Sequence, residues 1–117
     1  MRQKRHYLNL NSRPFSLIAN GEKSVEMRLF DEKRQKIAVG DELVFKNIVT
    51  KETLNVVVEK LERYHSFQAL YAQIPQTLLG YKNGEAADYR DMYTYYTREA
   101  EKNYGVLAIY IRKTFDK

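Results

Sequence analysis

Three charged residues of mixed sign lie close together near the start of the chain, Lys23, Glu26 and Arg28. Residues two apart on a β-strand share a face, so Glu26 and Arg28 point away from the face that packs Val25 and Met27. Cations hold anionic or carbonyl oxygens, and a carboxylate accepts hydrogen bonds from amino groups. The spacing therefore indicates a polar-ligand site, and the alternative is a solvated strand face with a weak surface ion pair.

Other side chains are candidates for the same site. Ser24 places a hydroxyl beside Lys23, and Arg63, at the end of a long predicted strand, is a candidate phosphate contact. Tyr96 carries a hydroxyl that could reach the ligand. Tyr104 precedes the last predicted strand and could line the rim of the same site. Each has a structural alternative: Arg63 as a surface arginine, and the tyrosines as packing for an amphipathic helix.

Composition excludes several kinds of site. The absence of cysteine excludes a thiol nucleophile, a disulfide framework and a cysteine zinc site. Two histidines are too few for an all-protein zinc site, so neither a metal nor a cofactor is expected. No apolar run approaches the roughly 20 residues of a membrane span, and no signal-peptide core follows the basic N-terminal run, so we expect a cytoplasmic location.

The charge balance permits a nucleic-acid partner without requiring one. Lys and Arg number 20 against 15 Asp and Glu, for a net charge of +5. Ten tyrosines provide both core packing and flat faces on which bases can stack.

Apolar patterning predicts one domain, residues 1–117, of α+β class. Strands are predicted over 6–11, 24–30, 42–47, 53–63 and 106–111, and helices over 12–20, 66–74 and 86–103. The segment 75–84 is predicted to be irregular. Four β elements by residue 63 favour a barrel over a helical bundle, and strands at both ends of the chain favour closure of the sheet.

These segments together resemble the activating signal cointegrator homology (ASCH) family. The residues that carry the resemblance are Leu8-Asn9-Leu10, Phe15, Ile18, Gly21-x-Lys23-x-x-Glu26-x-Arg28, Asp31, Lys33-Arg34-Gln35, Gly40-Asp41, Tyr64 to Phe67, Tyr96 and Tyr104-Gly105-Val106. The resemblance implies a PUA-like, mostly antiparallel β-barrel of about five to six strands with two to three flanking helices. It also implies a cleft lined by the strand that follows Lys23.

The resemblance favours RNA or a nucleotide as the ligand. Lys23 and Arg28 would bind oxygens, Glu26 would accept a hydrogen bond from a base or ribose, and Tyr96 would shape the pocket. One branch of the family hydrolyses N4-acetylcytidine with a lysine, a threonine and a glutamate. Lys23 matches that lysine, but Glu26 stands at the threonine position, and Ser24 has the wrong spacing.

Two alternatives therefore stay open beside RNA or nucleotide binding. One is an amidohydrolase of acylated nucleosides, in which Lys23 and Glu26 would act and the second glutamate has no assigned counterpart in 75–86. Glu26 counts against Lys23 as a base, because a neighbouring anion favours the protonated amine. The other is a protein-interaction module that uses the charged cleft as a docking surface.

Overall fold

The computed structural model describes residues 3–114, so the first two residues of the basic N-terminal run lie outside it. The strands are β1 (Arg5–Leu10), β2 (Val25–Leu29), β3 (Glu42–Asn47), β4 (Thr53–Tyr64) and β5 (Val106–Lys113). The α-helices are α1 (Ser12–Ala19), α2 (Phe67–Gln73) and α3 (Arg98–Tyr104), with 3₁₀ helices at Arg34–Lys36, Gln76–Leu79 and Tyr89–Thr94. Within 3–114, no helix is long and apolar enough to cross a membrane.

All five strands belong to one curled sheet in the order β1-β3-β4-β5-β2. The β1–β3 pair is parallel and the other three pairs are antiparallel, which confirms the predicted α+β class and its mostly antiparallel sheet. Strands β1 and β2 form the two edges, and no ladder joins them in the described chain. The fold is therefore a half-barrel with a gap between β1 and β2, which we call the β1–β2 gap.

Two apolar clusters lie on opposite faces of the sheet. The first contains Leu8, Leu43, Phe45, Leu107 and Ile109, and α1 covers it with Phe15 and Ile18. The second contains Val25, Met27, Phe67, Leu70, Val106 and Ala108, together with residues that follow α2. Alternate residues of β5 enter each cluster because side chains of a strand alternate between its faces. The predicted burial of this last strand is confirmed, since 106–109 are at most 1% exposed.

The single helix predicted over 86–103 is wrong. A 3₁₀ helix (Tyr89–Thr94) and α3 occupy this segment, with a break between them. The side chain of Asp88 accepts a hydrogen bond from the Arg90 amide where the 3₁₀ helix begins, and the Thr97 side chain caps the start of α3. Local capping therefore begins a new helix inside an apolar pattern that one continuous helix could also satisfy. The tyrosines of the pattern still pack against the second cluster.

Candidate ligand-binding cleft

The turn between α1 and β2 positions Lys23. The backbone amides of Glu22 and Lys23 both donate to the Leu17 carbonyl, at 2.8 and 3.1 Å. Gly21 permits the turn through a φ of 79°. The aliphatic stem of Lys23 then lies against Gly80, where a Cβ would come within 3.3 Å of the Lys23 Cδ. The α1 terminus and a distant glycine thus fix the direction of this side chain.

Glu26 lies at the centre of the charged cluster. Its Oε1 lies 3.2 Å from the Lys23 Nζ, and its Oε2 accepts a 2.7 Å hydrogen bond from the Arg28 Nε. Lys23, Glu26 and Arg28 are only 9%, 4% and 8% exposed. The solvated-face alternative is therefore wrong, because both faces of β2 are buried.

Opposite charge keeps Glu26 and Arg28 ionised in this buried cluster. Burial acts to raise the pKa of Glu26, but Lys23 and Arg28 outweigh it, so the pKa lies below its ordinary value. Burial likewise acts to lower the pKa of Arg28, and Glu26 outweighs it and raises that pKa. Two cations against one carboxylate leave one positive charge in excess. A buried charge without a partner is costly, so the cluster favours a ligand with an anionic or carbonyl oxygen.

The cluster forms the buried part of a cleft of about 620 Å³. The strand β1, helix α1 and distant segments supply the rest of the lining, which includes Asn9, Asn11, Arg13, Arg34, Tyr71, Tyr81, Asp91, Tyr95 and Tyr96. This volume lies within the roughly 300–1,000 Å³ typical of small-molecule sites. The cleft is therefore large enough for a nucleoside-sized group beside the cations.

Arg34 adds a further cation to the lining. Its Nη1 pairs with Asp31 at 3.0 Å, while its Nε is buried without a partner among the described residues. The structure places Arg34 in the cleft.

Four tyrosines supply aromatic walls. The Tyr96 ring stacks on Phe67 with centroids 5.6 Å apart, and burial raises the pKa of its hydroxyl, which stays protonated. Tyr71 and Tyr81 share a 2.9 Å hydrogen bond, and the Tyr81 hydroxyl donates to Asp91 at 2.9 Å. Tyr95 stands 60% exposed at the cleft. Tyr71, Tyr81 and Asp91 carry no local signal of this site in the sequence, because long-range packing alone brings them to β2.

Three predicted site residues lie away from the cleft. Ser24 donates its amide to the Leu78 carbonyl and lines a separate depression. The Arg63 guanidinium lies over the Phe30 ring at 4.0 Å, and Tyr104 ends α3 with 42% exposure. The structure thus groups Lys23, Glu26, Arg28 and Tyr96 and separates these three from them. Within 3–114, no group of three His, Cys, Asp or Glu side chains could hold a metal ion.

Comparison with known proteins supports a family assignment. The model of the ASCH domain family matches residues 8–115. A search of curated protein sequences finds no match.

Solved structures share the fold along most of their length. The hypothetical protein PH0355 is 28% identical, with a TM-score of 0.80 over 94% of this chain and 99% of that one. Protein PF0455 from Pyrococcus furiosus is 27% identical, with a TM-score of 0.73 over 96% of this chain and 99% of that one. ASCH from Zymomonas mobilis shares only the fold, with 15% identity and a TM-score of 0.66 over 96% of this chain and 69% of that one. Because the family model spans nearly all of the sequence, the chain belongs to the ASCH domain family.

Proposed function

We propose that the cleft binds one nucleotide unit of RNA. The observation that carries the proposal is the buried cluster of Lys23, Glu26 and Arg28, which holds one positive charge in excess inside an aromatic-walled cleft. Cations suit the oxygens of a phosphate or a base carbonyl, and tyrosine rings suit the flat face of a base. The ASCH family, which is generally considered RNA-binding, supports the same ligand class.

Arg28 and Glu26 have different roles in the proposed site. Arg28 uses its Nε for Glu26 and its Nη2 for the Asn9 carbonyl, at 2.7 Å each. Its Nη1 donates no hydrogen bond within residues 3–114, which leaves that donor for the ligand. Both Glu26 oxygens already contact cations, so in this proposal Glu26 holds Lys23 and Arg28 in place. This role replaces direct recognition of a base or ribose by the carboxylate.

The geometry gives less support to hydrolysis of an acylated nucleoside. A hydroxyl nucleophile must lie within hydrogen-bond reach of its base and open to the substrate. Ser24 lines the separate depression instead. Glu26 occupies the position where the hydrolase branch has its hydroxyl. N4-acetylcytidine therefore enters the experiment below as a candidate ligand, and its conversion to cytidine is followed in the same samples.

Calorimetric titration at low salt tests the proposal with nucleoside 5′-monophosphates, N4-acetylcytidine and a ten-nucleotide oligouridylate. The test variant is Lys23→Met, which removes the ammonium, keeps the stem against Gly80, and leaves Glu26 paired with Arg28. The control is Lys102→Met, which removes the same charge from an exposed position on α3. We expect binding by the unmodified protein, a loss of about tenfold or more for Lys23→Met, and no change for the control. Absence of binding to every probe, or unchanged affinity of Lys23→Met, would contradict the proposal.

A further inference from the structure

We propose that single-stranded RNA continues out of the cleft along the β1–β2 gap, where Lys33 contacts the neighbouring phosphate and Tyr7 stacks on the neighbouring base. This inference rests on the proposed function, because it extends the same site by one nucleotide. It adds an interaction surface outside the cleft, made of the β1–β2 gap and the exposed face of β1 beside it.

Two cations fill the gap that backbone pairing leaves open. Arg28 donates from Nη2 to the Asn9 carbonyl at 2.7 Å, and Lys33 donates from Nζ to the Tyr7 carbonyl at 2.8 Å. These carbonyls belong to alternate residues of β1 and point away from its parallel partner β3. Arg28 lines the cleft. Lys33 does not, and it binds the next outward-pointing carbonyl along the same edge of β1. Burial and the nearby positive charges of Arg34 and Arg28 lower the pKa of Lys33, and Asp31 opposes them without reversing the shift.

An exposed aromatic ring lies beside these cations. Tyr7 is 61% exposed, and it shares its face of β1 with Asn9, which lines the cleft. Residues two apart on a strand are separated by about 6.6 Å, so Tyr7 lies just outside the cleft. An exposed tyrosine beside a cationic path is the arrangement that binds single-stranded nucleic acids through base stacking.

Neighbouring carboxylates do not neutralise this path. Glu42 pairs with Arg5 at 2.6 Å, and Asp31 pairs with Arg34. Lys46 stands beside Asn9 in the β1–β3 register and is exposed. Among the salt bridges of residues 3–114, none includes Lys33 or Lys46. Neither ammonium is paired with a carboxylate, and Lys33, which donates one hydrogen bond to the Tyr7 carbonyl, keeps two further donors for a phosphate.

The occupant that fits these features is single-stranded RNA. A stacking platform requires a base that is free of its own duplex partner. The path also begins at the cleft proposed to hold a nucleotide, so the same strand can occupy both. A nucleoside monophosphate, in contrast, fills only the cleft and does not reach Tyr7.

Binding of uridine 5′-monophosphate and of a ten-nucleotide oligouridylate, each measured over a salt series, separates the two surfaces. We expect Lys33→Gln to lower the slope of log K against log salt for the oligomer by about 0.7, while Lys102→Gln leaves the slope unchanged. We expect Tyr7→Ala to weaken oligomer binding by about 5- to 150-fold and Tyr7→Phe to retain it, since one stacked base contributes about 1–3 kcal/mol. Neither Lys33→Gln nor Tyr7→Ala should change binding of the monophosphate.

Several outcomes would overturn the inference. Oligomer binding that is unchanged in Tyr7→Ala and Lys33→Gln would remove the path and leave the cleft proposal intact. Equal losses for monophosphate and oligomer would place both residues in the cleft itself. Absence of binding by the unmodified protein to either ligand would refute the proposed function together with its extension.

Discussion

Gly80 shows how a single uncharged residue positions the charged cluster. It is buried, its φ is 102°, and a Cβ there would lie 3.2 Å from Leu17 Cδ1 and 3.3 Å from Lys23 Cδ. A left-handed conformation is costly for residues other than glycine, and close contacts add to that cost. The position therefore needs glycine both for its backbone and for the space that the Lys23 stem occupies.

We expect Gly80→Ala to lower the free energy of unfolding by more than the roughly 1 kcal/mol that a positive φ alone costs. It should also weaken ligand binding, because the new methyl group displaces the Lys23 stem. Urea denaturation and calorimetric titration measure the two effects. Gly84→Ala is the matched control, since its φ of 89° is similar but nothing lies within 4 Å of its Cβ. Equal effects of both substitutions would show that Gly80 does not position Lys23.

Residue spacing alone predicted the direction of the charged side chains but not their burial. Alternation along β2 correctly separates Glu26 and Arg28 from Val25 and Met27, which enter the second cluster. The burial of the charged face depends on the other cleft walls, Arg34, Tyr71, Tyr81 and Tyr96, which lie up to about 70 residues away in the chain. Nothing in the local pattern encodes those contacts. The same limit explains why Arg63 and Tyr104, chosen by position in the chain, lie elsewhere.

At the element scale, strands were easier to predict than the last helical region. Strands such as β3 and β5 begin where predicted because alternation and continuous apolar runs act locally. Apolar spacing over 86–103 cannot distinguish one helix from two shorter segments. The deciding signals are polar, namely Asp88 and Thr97, whose side chains cap new starts. Thr97 is followed by acidic residues in the first turn of α3, a pattern typical of a helix start.

Glu101 joins α3 to the elements that carry the aromatic wall. It is 7% exposed, and it accepts 2.7 Å hydrogen bonds from the Phe67 amide at the start of α2 and from the Tyr93 hydroxyl. Phe67 in turn stacks on Tyr96 in the cleft. One carboxylate thus fixes α2, α3 and the 3₁₀ helix between them.

We expect Glu101→Gln to lower the free energy of unfolding by about 1–3 kcal/mol, because an amide cannot accept at both positions and leaves a buried donor unpaired. The substitution should also weaken ligand binding by loosening Tyr96. Urea denaturation gives the stability, with Glu99→Gln as a control on the exposed side of the same helix. A Glu101 variant as stable as the Glu99 variant would show that the buried carboxylate does not join these elements.

At the scale of the whole molecule, the sheet closes through side chains instead of a backbone ladder. Terminal strands suggested closure, but β1 pairs with β3, and β5 lies between β4 and β2. This order leaves β1 and β2 as edges on the two sides of the gap. Edge strands expose unpaired carbonyls and amides, and cationic side chains are one way in which proteins protect them. Arg28 and Lys33 serve this purpose on β1, so the groups proposed to bind RNA also join β1 to β2 and to the segment that follows it.

Arg28→Met tests this joint role, because it removes the bridge to the Asn9 carbonyl together with the bond to Glu26, which still pairs with Lys23. A hydrogen bond from a charged donor contributes about 1.5–3 kcal/mol, and we expect a loss of stability of at least that size. The loss should be local, so hydrogen exchange should accelerate in β1 and β2 and stay slow in the antiparallel β3–β4 pair. Arg112→Met is the control, since Arg112 pairs with Glu59 at 3.2 Å and both side chains are half exposed. Uniform acceleration in all five strands, or exchange like that of the control, would show that Arg28 does not hold the half-barrel together at its gap.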